Sequence, residues 1–426
     1  MQTIDDEVQP AQGTTCSGKL EILFILPDLS GGGAERTVVN LLRYIDRERF
    51  TPYLGLLSPQ GEYLHLVNQA DIKNAPLPGW LRHTLDLPSN SIHSMHFWTL
   101  LPRVMRIPVS IYQIRALIRT IGPDVVLTSM TGLNILTHIA LSGLKEHSIC
   151  WIAREGNNFV ANLRQLVKSQ LLQQLFLTII KHCYSQADHV LTLSQGSAEE
   201  MAHDFGIAPT RVSWIYNPIH LHQIRQTLQT KPANNLIEGR YIVAVGRLHP
   251  QKGFEDLLKA LKRCHQHYQL NDLQLIIIGE GNHRSVLEEQ IQALNLQHYV
   301  KLVGFVNNPW SYVAAAQIFV LPSLWEGFAH VVVEAMACQT PVIATDCDYG
   351  PKEIIVDQET GLLTLTHNPE QLAAAIHQLL THPEKAKRLV QNAAIRAEDF
   401  DAAKITRQYE RLFGAVCSLN GKRQTV

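Results

Sequence analysis

Short apolar runs alternate with longer amphipathic segments along most of the chain. The runs are LEILFILP, YLGLLS, DVVLTS, ICWIA and HVLTLS in the first half, then YIVAVG, LQLIIIG, VKLVG, IFVLP and PVIAT. Such runs predict buried β-strands, and segments with helical spacing, such as AERTVVNLLRYI and VSIYQIRALIRTI, lie between them. Strands that alternate with helices predict a parallel sheet covered on both faces. The predicted fold class is therefore α/β.

A polar stretch, LHQIRQTLQTKPANNLIEGR, interrupts this alternation after Pro218. We therefore predict an N-terminal Rossmann-like domain over residues 19–217, a linker over 218–239 and a C-terminal Rossmann-like domain over 240–401. The 426 residues suit two domains of about 200 residues better than one core. Residues 1–18 are polar and contain no apolar segment, which predicts a disordered tail rather than a signal peptide or membrane anchor.

Composition restricts the class of partner and the compartment. Lys plus Arg number 37 against 38 for Asp plus Glu, so no overall positive field would recruit nucleic acid. The seven cysteines lack paired metal-ligand spacing, which suits buried thiols in a reducing cytoplasm. The sequence contains no run of about 18 consecutive apolar residues, so it predicts no transmembrane helix. The expected location is cytoplasmic, and peripheral contact with the inner face of the cytoplasmic membrane stays open.

The most informative charges are Glu326 and Glu334 in the segment LPSLWEGFAHVVVEAMACQTPVIATDCDYGPKEII. On a single helix they would lie about 12 Å apart along its axis, which matches the two ends of a sugar nucleotide. Gly327 lets backbone approach a ligand, so we place Glu326 in a loop before a helix over residues 329–338. The N-terminal N–H groups of that helix would favour a diphosphate, with Glu334 two turns in. The pair predicts a clamp on a nucleotide-sugar donor.

Four segments resemble motifs of family 4 of the retaining glycosyltransferases, which have the GT-B fold. They are SGGGAER at 30–36, AVGRLHPQKGF at 244–254, IIIGEG at 276–281 and the segment that contains both glutamates. The resemblance implies two Rossmann-like domains that face each other across a cleft, with a C-terminal helix over 402–417 crossing back to the N-terminal domain. The turn DCDYGPKEII is similar to that of members acting in bacterial surface-polysaccharide, lipopolysaccharide or lipid-linked oligosaccharide assembly.

The resemblance implies roles for residues that follow strand ends. Arg247 and Lys252 would place two cations against the donor diphosphate, while Glu326 would contact hydroxyls of the reacting sugar; these three are the predicted catalytic residues. Glu334 would bind the ribose hydroxyls. The other predicted donor-binding residues lie in glycine-containing loops or at the helix start: Gly32, Gly33, Gly246, Gly279, Glu280, Phe305, Val306, Gly327, Phe328, Ala329 and His330. The resemblance also implies no cofactor and no metal ion, with the nucleotide-sugar as a substrate.

The acceptor side has a different signature. Retaining GT-B enzymes often have a histidine after the strand that corresponds to DVVLTS, but this chain has Met130-Thr131-Gly132 there. The stretch AREGNN resembles the segment found at the matching strand end in relatives without the histidine. We therefore predict Arg154, Glu155 and Asn157 on the acceptor side. His138 is expected to be a buried structural or rim residue.

Each prediction has an alternative. Arg247 and Lys252 would otherwise lie in a solvated turn, Glu326 would only complement a helix dipole, and Glu334 would form an internal ion pair. Two stretches that mix cations with bulky apolar residues, WTLLPRVMRIPVSIYQIRALIR and LRQLVKSQLLQQLFLTIIKHCY, predict either core helices or helices that lie on an anionic membrane surface.

The predicted function is transfer of a hexosyl or N-acetylhexosaminyl group, with retention, from a UDP-sugar to a hydroxyl of a glycan or lipid-linked acceptor. Two other functions remain open. A GT-B nucleotide-sugar epimerase would turn over the donor alone. A non-catalytic nucleotide-sugar-binding partner of another transferase would bind the donor without forming product.

Overall fold

The computed structural model describes residues 18–30, 32–74, 103–144, 149–156, 160, 163, 167–230 and 237–419. The chain divides into two compact units, one formed by Met1–Pro218 with Ala402–Val426 and the other by Ile219–Asp401. All but the last residue of the predicted disordered tail lie outside the described residues. Asn157, one of the predicted acceptor-side residues, also lies outside them.

The first unit contains a seven-stranded parallel sheet in the order β3-β2-β1-β4-β5-β6-β7. Its strands are β1 (Leu20–Leu26), β2 (Phe50–Leu56), β3 (Ile72–Asn74), β4 (Val125–Ser129), β5 (Cys150–Arg154), β6 (His189–Thr192) and β7 (Val212–Trp214). Its helices are α1 (Gly33–Tyr44), α2 (Arg103–Ile121), α3 (Thr131–Leu141), α4 (Gln170–Ser185) and α5 (Gln195–His203), with the C-terminal helix of the chain at Ala402–Leu419.

Helices cover both faces of this sheet, and strand β1 shows why. Ile22, Phe24 and Leu26 pack with α1 and the C-terminal helix, whereas Leu23 and Ile25 pack with α2 to α5. Because successive side chains of a strand point to opposite faces, a strand buried on both faces must be apolar throughout. The buried part of β1, from Ile22 to Leu26, meets that requirement, and Glu21 lies at its half-buried start. The prediction of a parallel sheet covered on both faces is confirmed.

The second unit contains a six-stranded parallel sheet in the order β10-β9-β8-β11-β12-β13. Its strands are β8 (Tyr241–Val245), β9 (Gln274–Ile278), β10 (Val300–Gly304), β11 (Ile318–Leu321), β12 (Val342–Thr345) and β13 (Leu362–Thr364). Its helices are α6 (Leu221–Thr230), α7 (Phe254–Tyr268), α8 (Arg284–Ala293), α9 (Trp310–Ala315), α10 (His330–Ala337), α11 (Pro351–Ile354), α12 (Pro369–Thr381) and α13 (Pro383–Ala397). The C-terminal helix of the chain is therefore α14.

Helix α6 corrects the predicted linker over 218–239. Leu221 and Ile224 are three residues apart, and both are 1% exposed because α6 packs against α9 and α10 of the second unit. The polar residues that suggested a linker belong to the solvent-facing side of this amphipathic helix. The three-residue strands β3, β7 and β13 were also not predicted, since such short segments carry little periodicity.

Helix α14 returns to the first unit, as the resemblance implied. Its Phe413 is fully buried, and the ring lies edge-on to Phe24 at 6.1 Å and to Phe50 at 6.2 Å between centroids. The C-terminal helix thus completes the core over strands β1 and β2. Among the described helices, none has the length and apolar content needed to cross a bilayer.

Replacing Phe413 with Ala should lower the free energy of unfolding of the first unit by about 3–5 kcal/mol, because it leaves a cavity beside the rings of Phe24 and Phe50. Hydrogen exchange of the β1 and β2 amides measures this change locally. The control is Ile395→Ala on α13, where the side chain is 73% exposed. A loss in Phe413→Ala no larger than in the control would contradict the packing role of α14.

Candidate functional site

Four predicted segments of the second unit meet at one edge of its sheet. Gly246 follows β8, Gly279 follows β9, Phe305 follows β10 and Glu326 follows β11, and these strands are neighbours in the order β10-β9-β8-β11. The loops contact one another directly, because Gly246 N–H donates to the carbonyl of Ile278 at 2.9 Å and Gly279 N–H to that of Gly304 at 2.8 Å. Ligands of parallel sheets bind at this carboxyl edge.

Two glycines are required where these loops touch. Gly279 has φ +146°, and a Cβ there would lie 2.0 Å from the carbonyl oxygen of Gly246. Gly253 has φ +60° at the end of the basic motif, and a Cβ there would lie 2.0 Å from the carbonyl oxygen of Pro322. Backbone packing between loops is therefore one reason for both glycines.

Glu326 and Lys252 form a partly enclosed ion pair. Lys252 Nζ lies 2.5 Å from Glu326 Oε1, and the two side chains are 17% and 7% exposed. Ser323 Oγ donates to the same carboxylate oxygen at 2.7 Å, and the Thr345 hydroxyl donates to the Ser323 carbonyl. Glu326 Oε2 has no hydrogen-bond partner among the residues that the structure describes. The carboxylate is thus held by one oxygen and offers the other to a ligand.

Arg247 differs from Lys252 in its surroundings. It is exposed, directly after Gly246, and within the described parts of the chain no carboxylate pairs with it. The stem of Lys252 passes close to Gly246, where a Cβ would be 3.3 Å from Lys252 Cδ and Cε. Gly246 therefore leaves room for the lysine, while Arg247 presents an available cation at the same loop.

Glu334 is buried within α10, and Trp310 Nε1 donates to its Oε2 at 3.2 Å. Helix α10 begins at His330, so Glu334 lies just over one turn into it rather than two, and Glu326 lies in the preceding loop. The two carboxylates therefore do not share one helix axis. Together with burial, the charge of Glu334 raises the pKa of the nearby Cys338 thiol.

The residues around the start of α10 contribute mainly backbone. Phe328 and Ala329 are 6% and 2% exposed, and the Phe328 ring packs against Phe400 at 5.6 Å and edge-on to His330 at 5.5 Å. Their side chains are therefore core residues. The N–H groups of His330 and Val332 already donate to the carbonyls of Phe328 and Ala329, so only the remaining N–H groups of the first turn could face an anion. The predicted site residues Gly327 to His330 thus lie together, but as a helix terminus.

The turn DCDYGP packs onto the glutamate loop. A Cβ on Gly350 would lie 3.1 Å from Glu326 Cβ. Burial, with the charge of Glu326 nearby, raises the pKa of the Cys347 thiol to about 12. This thiol therefore stays protonated beside the carboxylate and is unsuited to nucleophilic attack.

The loops after β9 and β10 place one apolar ring in solvent. Phe305 is 56% exposed, and Val306 follows it. The predicted donor-binding residue Glu280 is exposed and pairs with Arg284 at 2.7 Å, and Arg284 also bonds Glu288 at 2.8 Å. Sequence reasoning missed Arg284, although its four-residue spacing from both glutamates was visible. An exposed ring beside a fixed ion pair provides a surface on which a flat group can stack.

In the first unit, the glycine loop begins a helix. Gly32 caps α1, Gly33 is its first residue, and a Cβ on Gly32 would lie 2.3 Å from Glu35 Oε2. Gly31 lies outside the described residues. The structure thus brings the glycine loop to the carboxyl end of the sheet, where the N-terminus of α1 is an anion-compatible position.

Arg154 does not have the surface position expected of an acceptor-binding residue. Its side chain is 1% exposed and donates to Tyr409 Oη at 3.0 Å, to Ser129 Oγ at 3.3 Å and to the Asn217 amide oxygen. The guanidinium of Arg154, which lies on β5, is therefore bonded to the end of β4, to α14 and to Asn217, next to the last residue of the segment Met1–Pro218. The prediction that Arg154 contacts the acceptor is replaced by a positioning role.

Glu155 is also enclosed, at 5% exposed. Its Oε2 accepts from Thr131 Oγ1 at 2.7 Å and from the Tyr184 hydroxyl, and its Oε1 accepts from Gly156 N–H at 3.0 Å. Sequence reasoning missed Tyr184 and Tyr409, since nothing local marks them as partners of AREGNN. His138 stacks on Trp151 at 6.2 Å, and burial together with the charge of His182 lowers its pKa. It is half-buried, and its assignment as a structural or rim residue stays a prediction.

Among the described residues, no group of three His, Cys, Asp or Glu side chains is placed to hold a metal ion. The expectation that no metal is required stays a prediction. The chemistry visible in the second unit is instead cationic and hydrogen-bonding: an exposed arginine, a lysine–glutamate pair, a helix start and an exposed aromatic ring.

Comparison with known proteins gives the family. Residues 31–223 match the family described as Glycosyltransferase Family 4, and residues 228–396 match Glycosyl transferases group 1. Two Campylobacter jejuni proteins are similar over most of their length. They are N-acetylgalactosamine-N,N'-diacetylbacillosaminyl-diphospho-undecaprenol 4-alpha-N-acetylgalactosaminyltransferase (29% identical, 89% of this chain and 95% of that protein) and GalNAc-alpha-(1->4)-GalNAc-alpha-(1->3)-diNAcBac-PP-undecaprenol alpha-1,4-N-acetyl-D-galactosaminyltransferase (24%, 93% and 99%).

Solved structures share the fold. Anabaena Alr3699/HepE in complex with UDP-glucose superposes with a TM-score of 0.70 at 20% identity, covering 93% of this chain and 100% of that one. Sucrose-phosphate synthase from Thermosynechococcus elongatus gives 0.70 at 21% identity, covering 94% and 100%. Two parallel-sheet Rossmann-like units, the four motifs in order and both family matches lead to one conclusion: the chain belongs to glycosyltransferase family 4 and is a glycosyltransferase of the GT-B fold.

Proposed function

We propose that this glycosyltransferase moves a hexosyl or N-acetylhexosaminyl group from a UDP-sugar to a hydroxyl of a lipid-linked glycan, with retention and without a metal ion. The observation that carries the proposal is the pairing of Lys252 with Glu326 beside the exposed Arg247. This arrangement supplies a cation for a diphosphate and a carboxylate oxygen for a sugar hydroxyl at adjacent loops. The names of the two Campylobacter relatives support a lipid-linked acceptor.

Charge on the leaving group is the electrostatic problem of this reaction. When the bond between the anomeric carbon and the phosphate oxygen breaks, negative charge grows on the diphosphate. Arg247, Lys252 and the N–H groups at the start of α10 are the protein groups that would stabilise it. The side chain of Lys252 is already oriented by Glu326, so little reorganisation is needed when the donor binds.

Retention follows if the acceptor attacks from the face that the phosphate leaves. The acceptor oxygen then forms the new bond to the anomeric carbon, the bond to the phosphate oxygen breaks, and the acceptor proton passes to the departing phosphate. Glu326 would act through the sugar hydroxyls rather than as a nucleophile, since one of its oxygens is already bonded to Lys252 and Ser323. Phe305 would stack on the uracil, and Glu334 would bind the ribose.

Incubation with radiolabelled nucleotide-sugars and a bacterial lipid extract tests the proposal. Label from one UDP-sugar should become extractable into organic solvent. Conversion of the donor in the absence of the extract would instead indicate an epimerase. Binding of UDP without any product would indicate a non-catalytic partner of another transferase.

Glu326→Ala and Glu334→Ala should affect different kinetic constants. Removing Glu326 should lower turnover about 10- to 100-fold, because a charge-assisted bond to the reacting sugar is worth about 1.5–3 kcal/mol. Removing Glu334 should mainly raise KM for the donor. The control is Glu289→Ala, an exposed carboxylate on α8. Unchanged turnover in the Glu326 variant would refute its assignment.

Arg247→Ala and Lys252→Ala should each reduce turnover by on the order of 100-fold, as expected when a stabiliser of leaving-group charge is removed. Only Lys252→Ala should also lower the free energy of unfolding, by about 1–3 kcal/mol, since it leaves the largely buried Glu326 carboxylate without its ion-pair partner. Arg388→Ala, at an exposed position of α13, is the matched control. EDTA should leave the rate unchanged, and a strict need for Mn²⁺ or Mg²⁺ would contradict the metal-free mechanism.

His249 organises the turn that carries Lys252. Its Nδ1 accepts from Gln251 N–H at 3.2 Å and thereby caps the 3-10 turn Pro250–Lys252. Burial lowers the pKa of His249, and the charges of Arg247, His283 and Lys252 lower it further. Only the neutral imidazole can accept this bond, so the cap needs an unprotonated His249. His283 itself contacts Glu255 at 2.7 Å.

The capping role predicts a pH dependence. Because folding lowers the pKa of His249, its contribution is present above the unfolded-state pKa of about 6.5 and is lost as the pH falls below that value. Melting of the wild type between pH 7.5 and 5.5 should therefore show a larger loss of stability than His249→Asn, whose amide caps without titrating. The exposed His267→Asn serves as the control. Equal losses in wild type and His249→Asn would disprove the cap.

A further inference from the structure

Helix α4 of the first unit has an apolar face that remains substantially exposed to solvent. Leu171, Leu175 and Ile179 follow one another at four-residue spacing, as do Leu172 and Phe176 beside them. Their exposed fractions are 77%, 55%, 44%, 46% and 43% in that order. The core side of the same helix is a different set, with Ile180 and Tyr184 buried in the first unit. We name these five exposed residues the apolar stripe.

Neighbouring helices extend this surface. Helix α3 packs between α2 and α4. It exposes Ile139 (39%), and α2 exposes Tyr112 (44%) and Ile107 (54%). Single exposed apolar side chains are ordinary, but eight of them on three helices that pack side by side mark an interaction surface. The stripe and these three residues form what we call the outer face.

The helices that bear the outer face, α2, α3 and α4, carry charges of one sign. None of α2, α3 and α4 contains an Asp or Glu residue, although the whole chain carries 38 acidic against 37 basic residues. Arg119 on α2 and Lys168, just before α4, are exposed, and no described carboxylate pairs with either. A groove of about 680 Å³ between α2 and α3 is lined by Arg115, Arg119, Tyr112 and Ile139.

The cations of α2 are not equivalent. Arg115 donates through Nε to the carbonyl of Ala140 at 2.9 Å and through Nη2 to that of Ile139 at 2.9 Å, so it caps the end of α3. It therefore has a structural role and would be a poor site for testing surface charge. Phe97, Trp98 and the side chain of Arg103, which belong to the basic-apolar stretch identified in the sequence, lie outside the described residues.

We propose that the outer face docks on an anionic bilayer, with the apolar stripe entering the boundary between head groups and acyl chains and Arg119 and Lys168 contacting lipid phosphates. A bilayer is the occupant that the chemistry favours. Apolar residues beside unpaired cations, with no acidic residue on the three helices, complement a surface that is apolar inside and negatively charged outside. The inference goes beyond the proposed transfer and depends only on the outer face.

Flotation with phosphatidylcholine vesicles, with and without phosphatidylglycerol, tests the proposal on the full-length protein. Wild type should bind anionic vesicles at low salt. The double variant Leu171→Gln with Leu175→Gln should reduce partitioning about 100-fold, since the transfer of each leucine side chain from water into the bilayer is worth about ten-fold. Leu365→Gln with Ile395→Gln is a matched control in the second unit, where the exposed fractions are 58% and 73%. This control should bind as wild type does.

A charge variant separates the two contributions. Arg119→Gln with Lys168→Gln should weaken binding about 30-fold on anionic vesicles and leave binding to pure phosphatidylcholine unchanged, because each cation near an anionic surface adds about 1 kcal/mol. Raising the salt concentration should reduce binding of the wild type towards that of this variant. Equal effects on both vesicle types would contradict the assignment of these two cations.

Three results would overturn the docking surface. The first is absence of vesicle binding by the wild type at low salt, and the second is an equal loss of vesicle binding in the stripe variant and in its control. The third is a wild-type dimer that becomes monomeric in the stripe variant, with neither protein binding vesicles. Calorimetry with UDP, performed without vesicles, distinguishes the two proposals. Vesicle binding without UDP binding would refute the proposed function and retain the docking surface, whereas UDP binding without vesicle binding would do the reverse.

Discussion

The bond between Lys252 and Glu326 determines how the second unit presents its charges. It joins the loop after β8 to the loop after β11, and these strands are neighbours in the sheet. Both side chains are largely withdrawn from water, so each would be costly to hold without the other. Ser323 donates to the same carboxylate oxygen as Lys252, and the Thr345 hydroxyl in turn donates to the Ser323 carbonyl. The pair therefore orients the lysine and leaves one carboxylate oxygen and the neighbouring arginine for a ligand.

A contrasting arrangement occurs in the first unit, where Arg154 is fully buried and its guanidinium donates to groups within the protein. Its donors reach Tyr409, Ser129, Thr37 and Asn217, which belong to separate parts of the chain. A buried guanidinium without a carboxylate is tolerable only when most of its donors are bonded. The same residue type thus serves as a ligand-accessible cation at position 247 and as a structural centre at position 154.

The sequence predicted the parts of the structure that depend on local pattern. Apolar runs identified the long strands, and parallel pairing then placed Gly246, Gly279, Phe305 and Glu326 at one sheet edge. It could not predict the burial of Arg154, because the four partners lie between 25 and 255 residues away along the chain. Helix α6 was missed for a related reason: only packing against α9 and α10 distinguishes its two buried residues from those of a polar linker.

The exposure of the apolar side chains on helix α4 could not be predicted from the sequence pattern either. The spacing of its leucines is that of any amphipathic helix, and a core role was the ordinary expectation. The structure shows that this helix has two apolar sides, of which only the one with Ile180 and Tyr184 faces the sheet. Folding the first unit therefore leaves large parts of the Leu171, Leu175 and Phe176 side chains in contact with water. A surface that folding leaves apolar gains free energy only from a further contact, so the stripe is explained by what the folded protein meets rather than by how it folds.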